Sequence, residues 1–167
     1  MLSTKITRII IIILIIFTNI GCDQFSKKIV RSRLSENDMI EVLSNHLTVM
    51  RVENSGAFLS LGDSLSKSGK NILLSVIPVI ALILALLYIV RKENINAVSM
   101  IAICFIIGGG VGNIFDRIAY GSVTDFLYLH FGALHTGVFN MADLSITTGA
   151  IIILLQSTFR RTVVNGE

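Results

Sequence analysis

The side chains best suited to chemistry in this sequence are acids and amides that lie beside long apolar segments. Six of these polar residues cluster near the ends of the third and fourth segments: Asn113, Asp116, Arg117, Asp125, Asn140 and Asp143. Ionisable groups at such positions are costly in a membrane and therefore indicate function. Because Asn and Asp are also favoured helix caps, one of them alone could be structural. Arg117 is placed to hold Asp116, or to steady the fold, through a bidentate contact.

The spacing of these residues predicts a pair of interacting carboxylates. Asn113 and Asp116 are three residues apart, as are Asn140 and Asp143, so each pair shares one helix face. We expect Asp125 to lie on a strand between the two helix ends. Two neighbouring carboxylates in a low-dielectric site cannot both ionise easily, and they titrate as a unit. The charged member can accept a proton from water while the protonated member donates to a substrate carbonyl, without a metal.

Other reactive side chains have weaker patterns. The histidines, His46, His130 and His135, lack a regular ligand spacing. Cys22 and Cys104 lie in apolar runs without the close spacing of a metal site, and we expect both to be buried, inert thiols. No serine stands in a G-x-S-x-G pattern. The sequence therefore predicts no metal site and no serine nucleophile.

The composition indicates a membrane protein. The chain has 167 residues, 53% hydrophobic and 15% charged, whereas soluble domains carry about 25% charged residues. The net charge is +3, but the basic residues are dispersed in pairs at 27–28, 91–92 and 160–161. Nucleic-acid binding favours basic residues clustered on one face, so we expect no nucleic-acid partner.

Four segments approach the length of about 20 apolar residues that spans a bilayer. They predict one membrane domain over residues 1–167, with spans at about 6–22, 71–90, 95–115 and 140–159 and outer segments at 23–70 and 116–139. Pro78 lies near the start of the second span, where it is tolerated if neighbouring groups satisfy the freed carbonyl.

The outer segments contain two strand candidates. Residues 47–53 are rich in β-formers and precede a turn signal at 54–56, and residues 121–128 follow a similar pattern. We expect a mainly α integral membrane fold, with four transmembrane helices and a small extracytoplasmic β-sheet lying on the bilayer surface. An even number of spans places both termini on one side. The basic turn at 91–92 and the basic termini favour the cytoplasm, although the total count of basic residues does not decide the orientation.

Four motifs follow one another along nearly the whole chain: Asp23-Gln24-x-x-Lys27, Asn54-x-Gly56-Ala57, Gly112-Asn113-x-x-Asp116-Arg117-x-x-x-Gly121-x-Val123-x-Asp125 and Phe139-Asn140-x-Ala142-Asp143. In this order and placement, the sequence resembles the bacterial lipoprotein signal peptidases, also called signal peptidase II. The family often has Ala at the position of Gly110 and Ala-Phe at the position of Phe58–Leu59, so local packing and substrate contact can differ there.

The resemblance implies a cofactor-independent aspartic endopeptidase of the bacterial inner membrane, monomeric and in contact with membrane lipid. Its substrate would be a prolipoprotein that carries diacylglycerol on a cysteine, and cleavage would fall just before that cysteine. Asp125 and Asp143 would be the catalytic pair, with a water held between them. The residues that would shape the site are Asn113, Asp116, Arg117, Asn140 and Ala142. The outer positions implicated in stability or substrate handling are Asp23, Lys27, Asn54 and Gly56.

Two other classes of protein stay open on the residues alone. A phosphatidyl-transferring synthase of the CDP-alcohol type carries a D-x-x-x-x-G-x-x-x-D pattern, which Asp116, Gly121 and Asp125 reproduce. Such enzymes need a further metal-binding Asp four residues on, where this chain has Leu129. A small transporter or assembly subunit, with polar residues along a path, is the non-enzymatic alternative. Sensitivity to a chelator would distinguish the synthase from a peptidase.

Overall fold

The computed structural model describes residues 2–43, 46–56 and 67–164. The helices and strands follow in the order α1 (Leu2–Arg33), β1 (Met39–Val42), β2 (Leu47–Asn54), α2 (Lys67–Asn71), a π-helical segment (Ile72–Val76), α3 (Ile77–Arg91), α4 (Ala97–Tyr120), β3 (Val123–Phe131), β4 (Leu134–His135) and α5 (Met141–Val164). Within this described part, four helical stretches are long and apolar enough to cross a membrane: Lys5–Arg33, Gly69–Arg91, Ala97–Tyr120 and Met141–Phe159. The fold is therefore mainly helical, as predicted, with a small antiparallel sheet.

The first helix is longer than the apolar run that predicted it. We expected the span to end near residue 22, whereas α1 continues to Arg33. Asp23 and Lys27 lie one turn apart on α1 and pair with each other at 2.8 Å, with both side chains 0% exposed. Because the charges are neutralised against the helix bundle, the helix does not need to end where the apolar residues end. Residues 23–33, which the sequence assigned to the outer segment, therefore continue the first helix.

The second span contains a π-helical segment immediately before its proline. The N–H of Ile77 bonds to the carbonyl of Ile72, five residues back. Pro78 follows in the first turn of α3, where its missing N–H and its ring would disturb a regular α-helical ladder. The wider segment shifts the hydrogen-bond spacing at this point. The span accommodates Pro78 without a break, as expected.

The centre of the bundle is α4, which packs against α1, α3 and α5. Glycines allow this close approach, since a Cβ at Gly109 would collide with the backbone of Ala142 in α5, and one at Gly149 would collide with the carbonyl of Ala102. Small residues at helix contacts are typical of membrane bundles. At Gly110, a Cβ would come within 2.8 Å of Leu82 Cδ1, so the Leu82 side chain fills the space that alanine would need. The Phe58–Leu59 difference lies outside the described residues.

The sheet has the strand order β1-β2-β3-β4, with antiparallel neighbours. This confirms the strands predicted within 47–53 and 121–128. The short strands β1 and β4 were not predicted. In the β2–β3 pairing, Val52 lies opposite Asp125. The chain before α5 also returns to β3, because Phe139 exchanges backbone hydrogen bonds with Leu127 at 2.8 and 2.9 Å. This pairing brings the start of α5 beside Asp125.

At the opposite end of the bundle, one side chain of α1 caps the C-terminal end of α3. Arg8 donates hydrogen bonds to the backbone carbonyls of Ile89, Lys92 and Glu93. The carbonyls of Ile89 and Lys92 are among those that a helix C-terminus leaves without intrahelical partners, and Glu93 follows in the turn. Lys5, one turn earlier, forms an exposed ion pair with Glu93. The start of the chain and the α3–α4 turn therefore lie together at the same end.

Candidate active site

The structure brings Asp125 and Asp143 together around the side chain of Asn140. Asp125 lies on β3 and is 3% exposed, and Asp143 lies in the first turn of α5. Asn140 Nδ2 donates to Asp125 Oδ1 at 2.6 Å, and Asn140 Oδ1 accepts the backbone N–H of Asp143 at 2.9 Å. The Asn140 side chain thus bonds to the carboxylate of Asp125 and to the backbone of Asp143.

Each oxygen of the two carboxylates accepts a hydrogen bond from an uncharged donor. Asp125 Oδ2 accepts from Asn54 Nδ2 at 2.9 Å. Asp143 Oδ1 accepts from Asn113 Nδ2 at 2.8 Å, and Asp143 Oδ2 accepts from the backbone N–H of Asn140 at 3.2 Å. Among the described residues, neither acid forms an ion pair within 4.0 Å. Neutral donors orient the carboxylates but bias them less strongly toward the ionised form than a bound cation would.

The environment of Asp125 favours its protonated form. Burial raises the pKa of this carboxyl to about 6, and the neighbouring charge of Asp143 adds to the increase, while hydrogen bonds from Asn54 and Asn140 oppose it. A carboxyl that keeps its proton to pH 6 can act as a general acid near neutral pH. The site therefore has the acid that a two-carboxylate mechanism requires.

A buried ion cluster contacts the site through Asn113. Lys27, Asp23 and Asp116 have side chains that are 0% exposed, and Lys27 Nζ lies 2.8 Å from Asp23 Oδ2 and 3.0 Å from Asp116 Oδ2. Arg31 contributes a second cation, 2.9 Å from Asp116 Oδ1. Asp23 and Lys27 were predicted as outer positions. In the structure their side chains are buried against α4, because α1 continues past the apolar run.

Of the two roles expected for Arg117, holding Asp116 or steadying the fold, the described residues show no ion pair between Asp116 and Arg117. Its hydrogen bonds in the described residues go to two carbonyl oxygens, that of Gly56 at 3.2 Å and that of Asn113 at 3.4 Å. The reason is that Lys27 and Arg31 already occupy the carboxylate of Asp116. Arg117 therefore links α4 to the turn after β2.

That turn fixes the orientation of Asn54. The backbone N–H of Gly56 donates to Asn54 Oδ1 at 3.0 Å. The amide nitrogen of Asn54 is consequently left to face Asp125. The Asn54 and Gly56 pair thus contributes to the site through one oriented donor.

The start of α5 is fixed in a similar way from α1. The N–H of Ala142 donates to Asp23 Oδ1 at 2.9 Å, which satisfies one of the unpaired amides at the helix N-terminus. Ala142 is fully buried, at the point where Gly109 of α4 approaches its carbonyl. Asp23 therefore joins the ion cluster directly to the helix that carries Asp143.

Several contributing residues were missed from the sequence. Arg31 follows Asp23 and Lys27 at a spacing of four, a helical pattern that would have identified it if α1 had been extended. Gln24 donates to Asp116 Oδ1 at 3.1 Å, and it stood unassigned in the first motif. Glu53 accepts from Thr124 Oγ1 at 3.0 Å, beside Asp125. No sequence signal connects Glu53 with Thr124, because their pairing depends on the β2–β3 register.

The two cysteines differ in their exposure. Cys104 is buried, as expected, but Cys22 is exposed, because Asp23 and Lys27 occupy the packed face of α1. In the part of the chain that the structure describes, no group of three or more His, Cys, Asp or Glu side chains is arranged to hold a metal ion.

The fold and the site together define a multi-pass membrane enzyme. A solved structure described as a bacterial membrane enzyme, determined at 2.3 Å, superposes with a TM-score of 0.80 and 28% identity over 93% of this chain and 91% of that one. A second, determined at 1.9 Å, gives a TM-score of 0.77 and 28% identity over 87% and 90%.

Sequence comparison identifies the family. The sequence model of the family described as signal peptidase (SPase) II matches residues 10–159. The lipoprotein signal peptidase of Francisella tularensis subsp. novicida (strain U112) is 30% identical over 161 residues, 96% of this chain and 97% of that protein. That of Solibacter usitatus (strain Ellin6076) is 34% identical over 135 residues, 80% and 82% of the two chains. The chain belongs to the signal peptidase II family and is a membrane peptidase. This confirms the resemblance and decides against the synthase and the transporter.

Proposed function

We propose that this peptidase removes signal peptides from lipoprotein precursors whose cysteine carries diacylglycerol, and that Asp125 and Asp143 activate the attacking water. The observation that carries the mechanism is the acid pair around Asn140, in which Asp125 is buried and its pKa is raised to about 6. The substrate class is supported by the curated relatives, which are named lipoprotein signal peptidases. Cleavage before the lipidated cysteine follows from the resemblance to that family.

In the proposed reaction, the two acids exchange roles. Asp143 lies in the first turn of α5, where the positive end of the helix dipole favours a negative charge. Its carboxylate accepts a proton from water as the water oxygen attacks the scissile carbonyl, and Asp125 donates its proton to the carbonyl oxygen. Asp143 then gives its proton to the departing amide nitrogen while Asp125 recovers one from the tetrahedral intermediate. The carbon–nitrogen bond breaks, and both acids return to their starting states.

The membrane placement is part of the same proposal. The protein lies in the bacterial inner membrane as a monomer, with both termini in the cytoplasm and the acid pair near the extracytoplasmic face. The substrate's lipid chains stay in the bilayer while its peptide bond reaches the acids. The orientation is supported by the basic residues Lys5, Arg8 and Lys92, which meet at the end opposite the site.

A labelling experiment tests the orientation. In a variant without its two native cysteines, Glu36→Cys should react with a membrane-impermeant maleimide added outside sealed cells. Asn94→Cys should react only after the membrane is opened. The reverse pattern would contradict the proposed topology.

Substitution of the acids tests the chemistry. Asp125→Asn and Asp143→Asn should each reduce cleavage of a diacylglyceryl-modified precursor in reconstituted vesicles by about 10²–10⁴-fold. The exposed Glu41 of β1 offers a matched control, since Glu41→Gln also replaces one carboxylate with an amide. Full activity in either Asp variant would exclude the dyad.

Two further measurements test the remaining parts of the proposal. Cleavage should continue in excess EDTA, because neither acid is proposed to bind a metal. The same precursor without its diacylglycerol should be cleaved much more slowly than the modified one. Equal rates for the two precursors would remove the lipid requirement but leave the dyad mechanism intact.

A further inference from the structure

The ammonium group of Lys27 uses all its hydrogen-bonding capacity inside the bundle. Its three acceptors are Asp23 Oδ2 at 2.8 Å, Asp116 Oδ2 at 3.0 Å and Asn113 Oδ1 at 2.9 Å. A lysine ammonium has three donors and no acceptor. The two carboxylates account for two of these donors, and the third is directed at an uncharged amide. An ion pair alone does not explain this third contact.

The contact with Lys27 fixes which end of the Asn113 amide faces the acid pair. Because Lys27 only donates, the Asn113 atom beside it is the oxygen, and the nitrogen is turned toward Asp143 Oδ1 at 2.8 Å. With the amide reversed, two N–H donors would face each other, and an oxygen would face a carboxylate.

The orientation of the Asn113 amide also sets that of Asn140, which contacts Asp125. Asn140 Nδ2 donates to Asn113 Oδ1 at 3.2 Å and to Asp125 Oδ1 at 2.6 Å. If Asn113 and Asn140 reversed together, they would keep their mutual hydrogen bond but would turn oxygens toward both acids. The backbone N–H of Asp143 and Lys27 oppose that reversal, one at each end of the amide pair. Lys27 is the opposing group supplied by α1.

The charge of Lys27 is balanced within its own cluster. Asp23 and Asp116 carry two formal negative charges, and Lys27 and Arg31 carry two positive ones. The long-range field of the cluster at the acid pair is therefore reduced, whereas the hydrogen bond to Asn113 is directional. Among the described residues, the charged groups that interact electrostatically with the pair are Lys27 of α1 and Arg117 of α4.

We propose that Lys27 is a positioning residue for the peptidase reaction, which sets the direction of the Asn113 and Asn140 amides so that both catalytic acids receive N–H donors. The inference rests on the proposed function of Asp125 and Asp143. It assigns Lys27 a role in the hydrogen bonding and protonation of the two acids, in addition to joining α1 to α4. Lys27 itself does not touch substrate or water.

The test uses a charge-balanced double variant. Lys27→Met with Asp23→Asn removes one charge of each sign, leaves the Asp116–Arg31 pair, and keeps an oxygen at position 23 for the N–H of Ala142. We expect kcat to fall about tenfold or more with KM nearly unchanged, since the Lys27 side chain is fully buried and exposes no surface to a substrate. We also expect the acid limb of the pH–rate profile to move up by about one pH unit, because the carboxylates lose part of their hydrogen bonding.

A second double variant provides the control. Arg31→Met with Asp116→Asn also removes one ion pair but keeps the hydrogen bond from Lys27 to Asn113. Its acid limb should stay at the wild-type pH, whatever happens to its thermal stability. If both double variants have the wild-type acid limb, Lys27 has only a structural role and the inference is overturned.

Two further variants keep the test decisive. If the Lys27 double variant does not fold, Asn113→Asp replaces it, because an aspartate still accepts from Lys27 but cannot donate to Asp143. An unshifted acid limb in Asn113→Asp overturns the inference. Asp125→Asn is assayed in parallel. An active Asp125→Asn means that the proposed function has failed, whereas an inactive one with unshifted Lys27 and Asn113 variants means that only the positioning role has failed.

Discussion

Asn140 and Asp143 cap each other at the start of α5. Asn140 Oδ1 accepts the N–H of Asp143 at 2.9 Å, and Asp143 Oδ2 accepts the N–H of Asn140 at 3.2 Å. This reciprocal arrangement is a capping box in which an aspartate takes the usual glutamate position. A helix cap and a catalytic site are therefore not alternative explanations for these residues. The cap holds one carboxylate of the proposed catalytic pair in a fixed orientation.

The two contributions of Asn140 can be separated by substitution. Asn140→Ala removes the cap and the donor to Asp125, whereas Asn140→Ser keeps a capping oxygen but lacks the amide donor. Both variants should lose activity by about tenfold or more, and Asn140→Ala should be less stable than Asn140→Ser by about 1 kcal/mol. Cleavage assays and thermal unfolding in detergent measure the two effects. Wild-type activity in Asn140→Ser would show that the donor to Asp125 is dispensable.

The raised pKa of Asp125 predicts a pH-dependent difference in stability between wild type and Asp125→Asn. The ordinary value is 3.8 and the folded value is about 6, so the folded protein holds more protons than the unfolded chain between these limits. Its stability therefore falls as the pH rises through this window. The asparagine variant lacks this titration, so its free energy of unfolding should rise relative to that of wild type by up to about 3 kcal/mol between pH 4 and 7. Unfolding midpoints across this range measure the gain, and parallel curves would contradict it.

The close contact of α1 and α4 predicts that Gly112 tolerates no larger residue. A Cβ at Gly112 would lie 2.5 Å from Asp23 Oδ2 and 3.1 Å from Asp23 Cγ. Gly112→Ala should therefore displace the buried acid and destabilise the protein by about 1–3 kcal/mol. Gly21 of α1 is the matched control, because a Cβ there would meet nothing within 4 Å. Gly21→Ala should leave thermal unfolding unchanged or raise it slightly, and equal losses in both variants would refute the packing explanation.

The contacts of Arg8 predict that it matters more to stability than the neighbouring Lys5. Arg8→Met leaves the carbonyls at the end of α3 without their side-chain donor and should destabilise the protein by about 1–3 kcal/mol. Lys5→Met removes only an exposed ion pair, with side chains 61% and 57% exposed, and such pairs contribute little. Thermal unfolding of both variants checks the order. A larger loss for Lys5→Met would contradict the capping role of Arg8.

The sequence was most informative where a single periodic pattern decides the structure. Uninterrupted apolar runs predicted the four helices, and residues 47–53 predicted the longer part of β2. The end of α1 could not be found this way, because hydropathy cannot show that the charges of Asp23 and Lys27 are neutralised against α4. The strands β1 and β4 were missed because each has four residues or fewer, too short for a pattern.

The site was predictable as a set of residues but not as a network. The sequence predicted that Asn113 and Asp116 share a helix face, yet it could not show that their side chains serve different partners. Asn113 reaches Asp143, while Asp116 is occupied by Lys27 and Arg31. Such assignments depend on distances between helices, which no local pattern encodes.

The backbone pairing of Phe139 with Leu127 has a consequence for how the enzyme can move. Phe139 is joined to β3 by hydrogen bonds two residues beyond Asp125 along that strand, and it immediately precedes the capping residue of α5. A motion of the sheet over the bundle must carry both acids together or break these hydrogen bonds. If the sheet shifts on the helix bundle with these hydrogen bonds intact, we expect the carboxylates of Asp125 and Asp143 to keep their separation.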